Sequence, residues 1–116
     1  MESDCRLVAV RYTAGRAMRM IIEDPGVRQL HENADFRDRR FGSGVQRAIR
    51  RLLALVEEVP RQRDLYQFRS VRLERLRGDR AGQYSMRVND QFRLITRFEA
   101  MPDGQTCIVI EVVDYQ

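Results

Sequence analysis

The fold of this chain is decided by the stretch QYSMRVNDQFRLITRF, residues 83–98. Apolar and polar side chains alternate through residues 83–88 and again through residues 92–98, which is the period of two expected of half-buried β-strands. Between them lies Asn89-Asp90-Gln91, whose first two residues favour turns. The stretch therefore predicts a β-hairpin.

The length of the hairpin loop decides which side chains share a face of the sheet. A two-residue loop would set Met86 opposite Arg93 and mix apolar with charged side chains. A three-residue loop pairs Val88 with Phe92, and next to them Met86 faces Leu94. Because a slip of one residue turns every side chain to the other face, burial favours the three-residue loop. One face then carries Tyr84, Met86, Val88, Phe92, Leu94 and Phe98, and the other, here called the arginine face, carries Gln83, Ser85, Arg87, Arg93 and Arg97.

Two further strands are predicted beside this hairpin. The segment VRLERLR, residues 71–77, alternates in the same way and ends at the turn residues Gly78-Asp79. The segment CIVIEVV, residues 107–113, follows a turn at residues 102–104. Its nearly continuous apolar run indicates burial on both faces and hence a central position in the sheet.

The first half of the chain predicts a strand at residues 19–23 and then two helices. Asp24 suits the N-cap and Pro25 the first position of a first helix, whose weak apolar stripe continues through Arg40. The second helix runs over residues 43–59, with Ser43 and Gln46 spaced as a capping box and one apolar face. Residues 61–70 are expected to be a basic loop. The predicted fold class is α+β, with two N-terminal helices packed on one face of a small, mostly antiparallel twisted sheet.

The length of 116 residues fits one domain, which we place at residues 18–116, after an N-terminal extension at residues 1–17. An apolar run long enough to span a membrane and the pattern of a secretion signal are both missing from the sequence, so a cytoplasmic location is expected. In that reducing compartment Cys5 and Cys107 are expected to be free thiols.

Positive charge is concentrated in one part of the chain. All 21 basic residues are arginine, and residues 61–97 hold ten of them against four acids, a net charge of +6. A GC-rich genome accounts for part of the preference for arginine, but not for this distribution. Such a segment is typical of a protein that binds a polyanion. A solvated arginine surface without a ligand is the alternative.

Guanidinium groups on a rigid sheet suit phosphate, whose oxygens match the planar donor fork. RNA carries its own nucleophile, the 2′-hydroxyl, so its cleavage requires no metal or cofactor, only a base and an acid. The candidate proton carriers near the arginine face are Glu74, Asp79, Asp114 and Tyr115, although for Glu74 a cross-strand ion pair with a neighbouring arginine is the favoured explanation. The single histidine, His31, and the two cysteines have no metal-ligand spacing, and the sequence contains no phosphate-binding loop.

Three short motifs in order carry a resemblance to a known family: LRGDRAGQYS at residues 76–85, NDQFRLI at residues 89–95 and VVDYQ at residues 112–116. Over residues 18–116 the chain resembles the HigB branch of the RelE-like toxins. The resemblance implies a ribosome-dependent endoribonuclease that cleaves mRNA in the A site. It also implies neutralisation by a cognate antitoxin, often a helix-turn-helix protein through which the toxin–antitoxin complex binds operator DNA.

The resemblance also implies roles for single residues. Arg77 would contact phosphate, Arg93 would stabilise the transition state, and Asp114 and Tyr115 would line the active site. RNA contacts are expected from Arg75, Arg80, Arg87, Arg97 and Gln116.

The chain departs from the family at two positions, where Glu74 and Gln116 replace histidines that relatives often carry. Three interpretations follow: Glu74 or Asp114 acts as the base, catalysis rests on positioning and electrostatics, or the protein is weakly active or inactive and only binds RNA or its antitoxin. A gyrase-inhibiting toxin on the related ParE scaffold is a further alternative. The HigB-type motifs and the arginine face favour RNA cleavage.

Overall fold

The computed structural model describes residues 18–102 and 104–115, so the expected extension at residues 1–17 and Gln116 lie outside the described residues. The helices are α1 (Pro25–Glu32), α2 (Ser43–Glu58) and α3 (Gln62–Leu65). The strands are β1 (Arg19–Ile22), β2 (Glu74–Arg75), β3 (Tyr84–Arg87), β4 (Phe92–Met101) and β5 (Gly104–Asp114). No helix among these residues has the length and apolar character needed to cross a membrane.

The five strands form one sheet in the order β1-β5-β4-β3-β2, in which β1 runs parallel to β5 and the other pairs are antiparallel. The predicted interior position of the last strand is confirmed, because β5 has a neighbour on each side and is buried from Thr106 to Val109. Side chains of α1 and α2 form one core with the apolar side of the sheet. The predicted α+β class is therefore confirmed.

The three-residue hairpin loop is also confirmed. Met86 lies opposite Leu94, and the amide of Val88 donates to the carbonyl of Phe92 at 3.0 Å. Within the loop the Asn89 side chain accepts hydrogen bonds from the amides of Gln91 (2.9 Å) and Phe92 (2.7 Å). A side chain that satisfies two backbone donors in this way fixes the loop, and with it the register of the hairpin.

The N-cap of α1 is as predicted, since the Asp24 carboxylate accepts from the amides of Gly26 (2.9 Å) and Val27 (3.1 Å). The prediction of a capping box at the start of α2 was wrong. Gly42 is the N-cap and makes no side-chain bond, while Gln46 is buried and donates to the carbonyls of Phe41 (2.7 Å) and Asp38 (3.1 Å). Gln46 instead ties the loop before α2 to the helix, because those carbonyls are buried and need donors.

The prediction that the first helix continues through Arg40 was also wrong. α1 ends at Glu32, where the Asn33 side chain accepts from the amide of Asp35 (2.9 Å), a turn that competes with the helix. The Arg50 guanidinium then donates to the carbonyls of Asn33 (3.2 Å) and Phe36 (2.7 Å).

The segments before the hairpin differ from prediction as well. Residues 61–70 contain the short helix α3, which the fully buried Leu65 anchors. The predicted strand at residues 71–77 is reduced to Glu74–Arg75, because Arg72 has a φ of 47° and interrupts the extended backbone. Val71 and Leu73 on either side of it are nevertheless buried.

A cluster of Asp24, Asp38 and Arg40 joins α1 to the loop before α2. The Arg40 guanidinium contacts an Asp38 oxygen at 2.6 Å and an Asp24 oxygen at 2.9 Å. For Asp38 the hydrogen bonds from Arg40 outweigh the effect of burial and lower its pKa. For Asp24, burial raises the pKa, but hydrogen bonds from Arg40 and from the amides of Val27 and Gly26 more than offset it, so this pKa is lowered too.

We expect Arg40→Ala to reduce the free energy of unfolding by about 1–2 kcal/mol at neutral pH, because it leaves the buried Asp38 carboxylate without its charged partner. A lowered pKa in the folded state stabilises the protein above the ordinary value of 3.8 and ceases to do so as the pH falls below it. Urea unfolding of both proteins at stepped pH should show the difference shrinking below that value. A difference that stays constant down to the acid range would contradict this reasoning.

Candidate active site on the arginine face

Two arginines stand directly opposite each other on the arginine face, Arg87 on β3 and Arg93 on β4. Like charges at opposed positions are unfavourable, so each needs a partner or an anion between them. Arg87 forms an ion pair with the highly exposed Asp90, and one Arg93 nitrogen donates to the Asn89 carbonyl at 2.8 Å. The hairpin loop therefore orients both guanidinium groups and leaves further Arg93 donors for a ligand.

Tyr115 follows β5 and completes the surroundings of Arg93. Its amide donates to the Gln91 carbonyl at 2.7 Å, and its ring centroid lies 5.1 Å from the Arg93 guanidinium carbon. This contact holds the guanidinium plane in place. The Gln91 side chain also donates to the Asp114 carboxylate at 2.9 Å. Gln91 thus positions both residues of the C-terminal pair, a role that no sequence pattern indicated.

A second row crosses the arginine face one step farther along the strands. Glu74 lies opposite Ser85, Ser85 opposite Ile95, and Ile95 opposite Glu111. Two residues along a strand span about 7 Å, so this row is that far from the row of Arg87 and Arg93. The site therefore combines two arginines with two carboxylates on one surface.

Glu111 was missed in the sequence, where it interrupts an apolar run predicted to be buried. The register of β4 and β5 shifts between Ile95 and Thr96, so that Ile95 pairs with Glu111 but Thr96 pairs with Val109. The skipped residue, Ile110, forms a bulge that changes the side from which the following residues project. A single acid within an apolar run was the only signal in the sequence.

Two further arginines that were predicted to contact RNA, Arg80 and Arg97, form ion pairs within the protein. Arg80 contacts Glu111 at 2.7 Å and Gln83 at 2.9 Å, and Arg97 lies 3.4 Å from both Glu23 and Glu99. Both arginines thus have carboxylate partners.

Three of the predicted residues lie toward the edge strand β2. Arg77 is exposed, precedes the 3₁₀ turn Gly78–Arg80 and has no ion pair within the described part of the chain. Glu74 is likewise exposed and unpaired there, so the ion-pair explanation for this residue was wrong. Arg75 pairs with Tyr84 and therefore belongs to the opposite face, away from Arg93.

His31 and Cys107 lie apart from this site. His31 contacts Glu57 at 3.1 Å between α1 and α2. Burial raises the pKa of Cys107 to about 12, so its thiol is free but remains protonated as part of the core.

Comparison with known proteins agrees with this architecture. The model of the HigB-like toxins, described as the RelE-like toxin of type II toxin–antitoxin system HigB, matches residues 21–115. Similar folds include a YoeB/ParE toxin from Agrobacterium tumefaciens, with a TM-score of 0.52 and 19% identity over 85% of this chain and 100% of that chain. A YoeB-YefM complex from Staphylococcus aureus gives a TM-score of 0.49 and 15% identity over 85% of this chain and 97% of that chain. No curated protein sequence matches significantly. Since the family model spans most of its length, the chain belongs to the HigB-like family of RelE-like toxins of type II toxin–antitoxin systems.

Proposed function

We propose that this toxin is a metal-independent endoribonuclease that cleaves mRNA in the ribosomal A site. The observation that supports this best is Arg93, which is held between the Asn89 carbonyl and the Tyr115 ring and stands opposite Arg87. A phosphodiester that lies across these two guanidinium groups receives donors on its non-bridging oxygens, where negative charge builds up in the transition state.

The reaction uses the 2′-hydroxyl of the RNA as its nucleophile. Its oxygen bonds to the adjacent phosphorus and the bond from phosphorus to the 5′ oxygen breaks, which yields a 2′,3′-cyclic phosphate and a 5′-hydroxyl end. One proton leaves the 2′-hydroxyl and another must reach the 5′ oxygen. The protein therefore has to supply one proton acceptor and one proton donor, on opposite sides of the phosphate.

Glu74 and Tyr115 flank the two arginines from opposite edges of the site. Glu74 is on β2, two strands from Arg93 and two residues farther along, which corresponds to about 12 Å between backbones. A phosphodiester between the two long side chains would lie within reach of both. The exposed Glu74 carboxylate is suited to accept the proton of the 2′-hydroxyl, and the Tyr115 hydroxyl, half exposed beside Arg93, is suited to donate to the 5′ oxygen. Asp114 is the alternative base, held by Gln91, and Arg77 is placed to contact a neighbouring phosphate.

The open form of the site supports dependence on the ribosome. Arg87 and Arg93 are partly exposed and Glu74 and Tyr115 are exposed, and long-range positive charge attracts RNA without fixing one phosphate in line. Alignment of the scissile bond is worth several orders of magnitude in rate, so a second body has to hold the RNA. The ribosomal A site, in the cytoplasm, does so for mRNA.

The partner that neutralises the toxin is proposed to be a cognate antitoxin, in keeping with a type II system. A segment of such an antitoxin that carries carboxylates would pair with Arg87 and Arg93 and exclude the RNA phosphate. A helix-turn-helix domain in the antitoxin would give the complex its affinity for operator DNA.

Cell-free translation of a defined mRNA tests the proposed activity. Primer extension should show cuts within translated codons when the toxin is present, and none when ribosomes are left out. The cuts should disappear when a molar excess of antitoxin is added. If the mRNA stays intact with the folded toxin, the endonuclease assignment fails, and inhibition of DNA supercoiling by gyrase becomes the activity to measure.

A further inference from the structure

A cleft of about 320 Å³ lies between α2 and the loop that precedes β2, and Arg87 of the arginine face forms part of its lining. Its floor is apolar, and Leu52, Leu55, Val71 and Val88 form most of it. Arg51 and Arg87 form its polar rim. Arg87 also stands opposite Arg93, so the cleft opens next to the two arginines of the candidate active site.

The charged side chains that line this cleft are all positive. Besides the two rim arginines, Arg69 and Arg72 flank the Ser70-Val71 wall. Within the described part of the chain, Arg51, Arg69 and Arg72 have no carboxylate partner, and Asp90 pairs with Arg87. A ligand with negative charge next to an apolar group would complement this combination.

A costly backbone conformation lies directly after the wall of the cleft, at Arg72. Arg72 has a φ of 47°, which a side chain with a Cβ rarely adopts, and strain of this kind gathers at ligand-binding sites. Val71 next to it is fixed at both ends, because its amide donates to the Phe68 carbonyl at 3.0 Å and its carbonyl accepts from the Arg87 amide at 2.7 Å. The wall is thus tied directly to an arginine of the candidate active site.

We infer that this cleft binds the base of an RNA nucleotide adjacent to the scissile phosphate, which deepens the proposed function and rests on it. The base lies on the apolar floor and stacks against the guanidinium planes of Arg51 and Arg87, a mode by which proteins hold unstacked RNA bases. Its phosphate pairs with the same rim. The cleft thereby fixes the position of the strand on the arginine face.

The dimensions favour a base over a protein segment. A volume of about 320 Å³ is at the lower end of small-ligand pockets, whereas a helix with its side chains is about 10–12 Å wide and needs a long groove. Continuity with Arg87 and Arg93 further favours the polymer whose phosphate those residues bind.

Fluorescence anisotropy with a labelled short single-stranded RNA tests this inference. The RNA carries 2′-O-methyl groups so that it resists cleavage, and a second probe lacks its bases. We expect the wild type to bind the intact RNA more tightly than the abasic RNA. Arg51→Gln should weaken binding of the intact RNA about tenfold. Arg47→Gln, which removes an exposed arginine one turn away on α2 that is not part of the cleft lining, should weaken it less than about twofold.

Filling the cleft provides a test that keeps every charge. Ala48→Leu places a larger side chain in the cleft and should abolish the preference for intact over abasic RNA. Ala54→Leu, at an exposed position of α2 that is not part of the cleft lining, should retain it. Thermal melting of each variant verifies that it is folded.

The inference is overturned if the arginine variants weaken binding equally, or if the wild type does not distinguish the two probes. It is also overturned if Arg51→Gln weakens binding of the antitoxin but not of RNA, which would make the cleft a protein-binding site. If the wild-type toxin still cuts mRNA on ribosomes, each of these three outcomes overturns only the inference about the cleft and leaves the proposed function intact. Absence of cutting by the wild type would instead remove the proposed function.

Discussion

Arg93→Ala is expected to slow mRNA cleavage on ribosomes by about 10²–10³-fold, the usual loss when a donor to transition-state charge is removed. The Arg93 guanidinium is held on two sides, by the Asn89 carbonyl and the Tyr115 ring. An alanine there leaves no donor at that position. Single-turnover cleavage of an mRNA bound in the A site measures the effect on the chemical step.

Two further variants separate geometry from charge. Arg93→Lys keeps the positive charge but loses the planar donor fork, so cleavage should remain at least about tenfold below wild type. Arg39→Ala removes an exposed arginine from the loop before α2 and should change the rate by less than about twofold. If Arg93→Lys matched the wild type, a point charge would suffice, and the argument from the oriented guanidinium would be wrong.

Glu74→Gln is expected to lower the cleavage rate by about 10²–10⁴-fold, because an amide cannot accept the proton of the 2′-hydroxyl. The rate of the wild type should fall in acid as the base becomes protonated, and the variant should lose this dependence on pH. A residue with only a structural role would lower the rate without changing the shape of the profile. Cleavage rates over a range of pH distinguish the two cases.

Asp114→Asn provides the comparison, since Asp114 is the alternative base. It should lower the rate less than Glu74→Gln and keep the acid limb of the profile, while Glu58→Gln, at the exposed end of α2, should have no effect. If Asp114→Asn abolishes the acid limb and Glu74→Gln does not, the roles of the two carboxylates are exchanged.

Features that depend on neighbours in the chain could be predicted from the sequence. The hairpin register followed from alternation alone, because a one-residue slip would have placed Arg93 opposite Met86. The N-cap at Asp24 followed from the spacing of a carboxylate and a proline. The resemblance of three motifs gave the family, which the match over residues 21–115 confirmed.

Features that depend on packing in the folded chain could not be predicted in this way. Gln46 fits a capping box locally, yet in the folded chain buried carbonyls of the preceding loop offer it stronger partners. Arg72 continues the alternation of a predicted strand, yet its φ of 47° interrupts the extended backbone between the buried Val71 and Leu73.

Some features of the candidate site could likewise be predicted from the sequence, and others could not. The sequence by itself determined that Arg87 and Arg93 share a face, because period-two burial leaves one register for the hairpin. Only the tertiary structure decided that Tyr115 lies against Arg93, that Gln91 holds Asp114, and that a bulge brings Glu111 onto the arginine face. The physical reason is that backbone sterics and the burial of alternate side chains act within a few residues. Contacts across the sheet depend instead on how separate strands pair, and one inserted residue reverses the side from which a strand presents its chemistry.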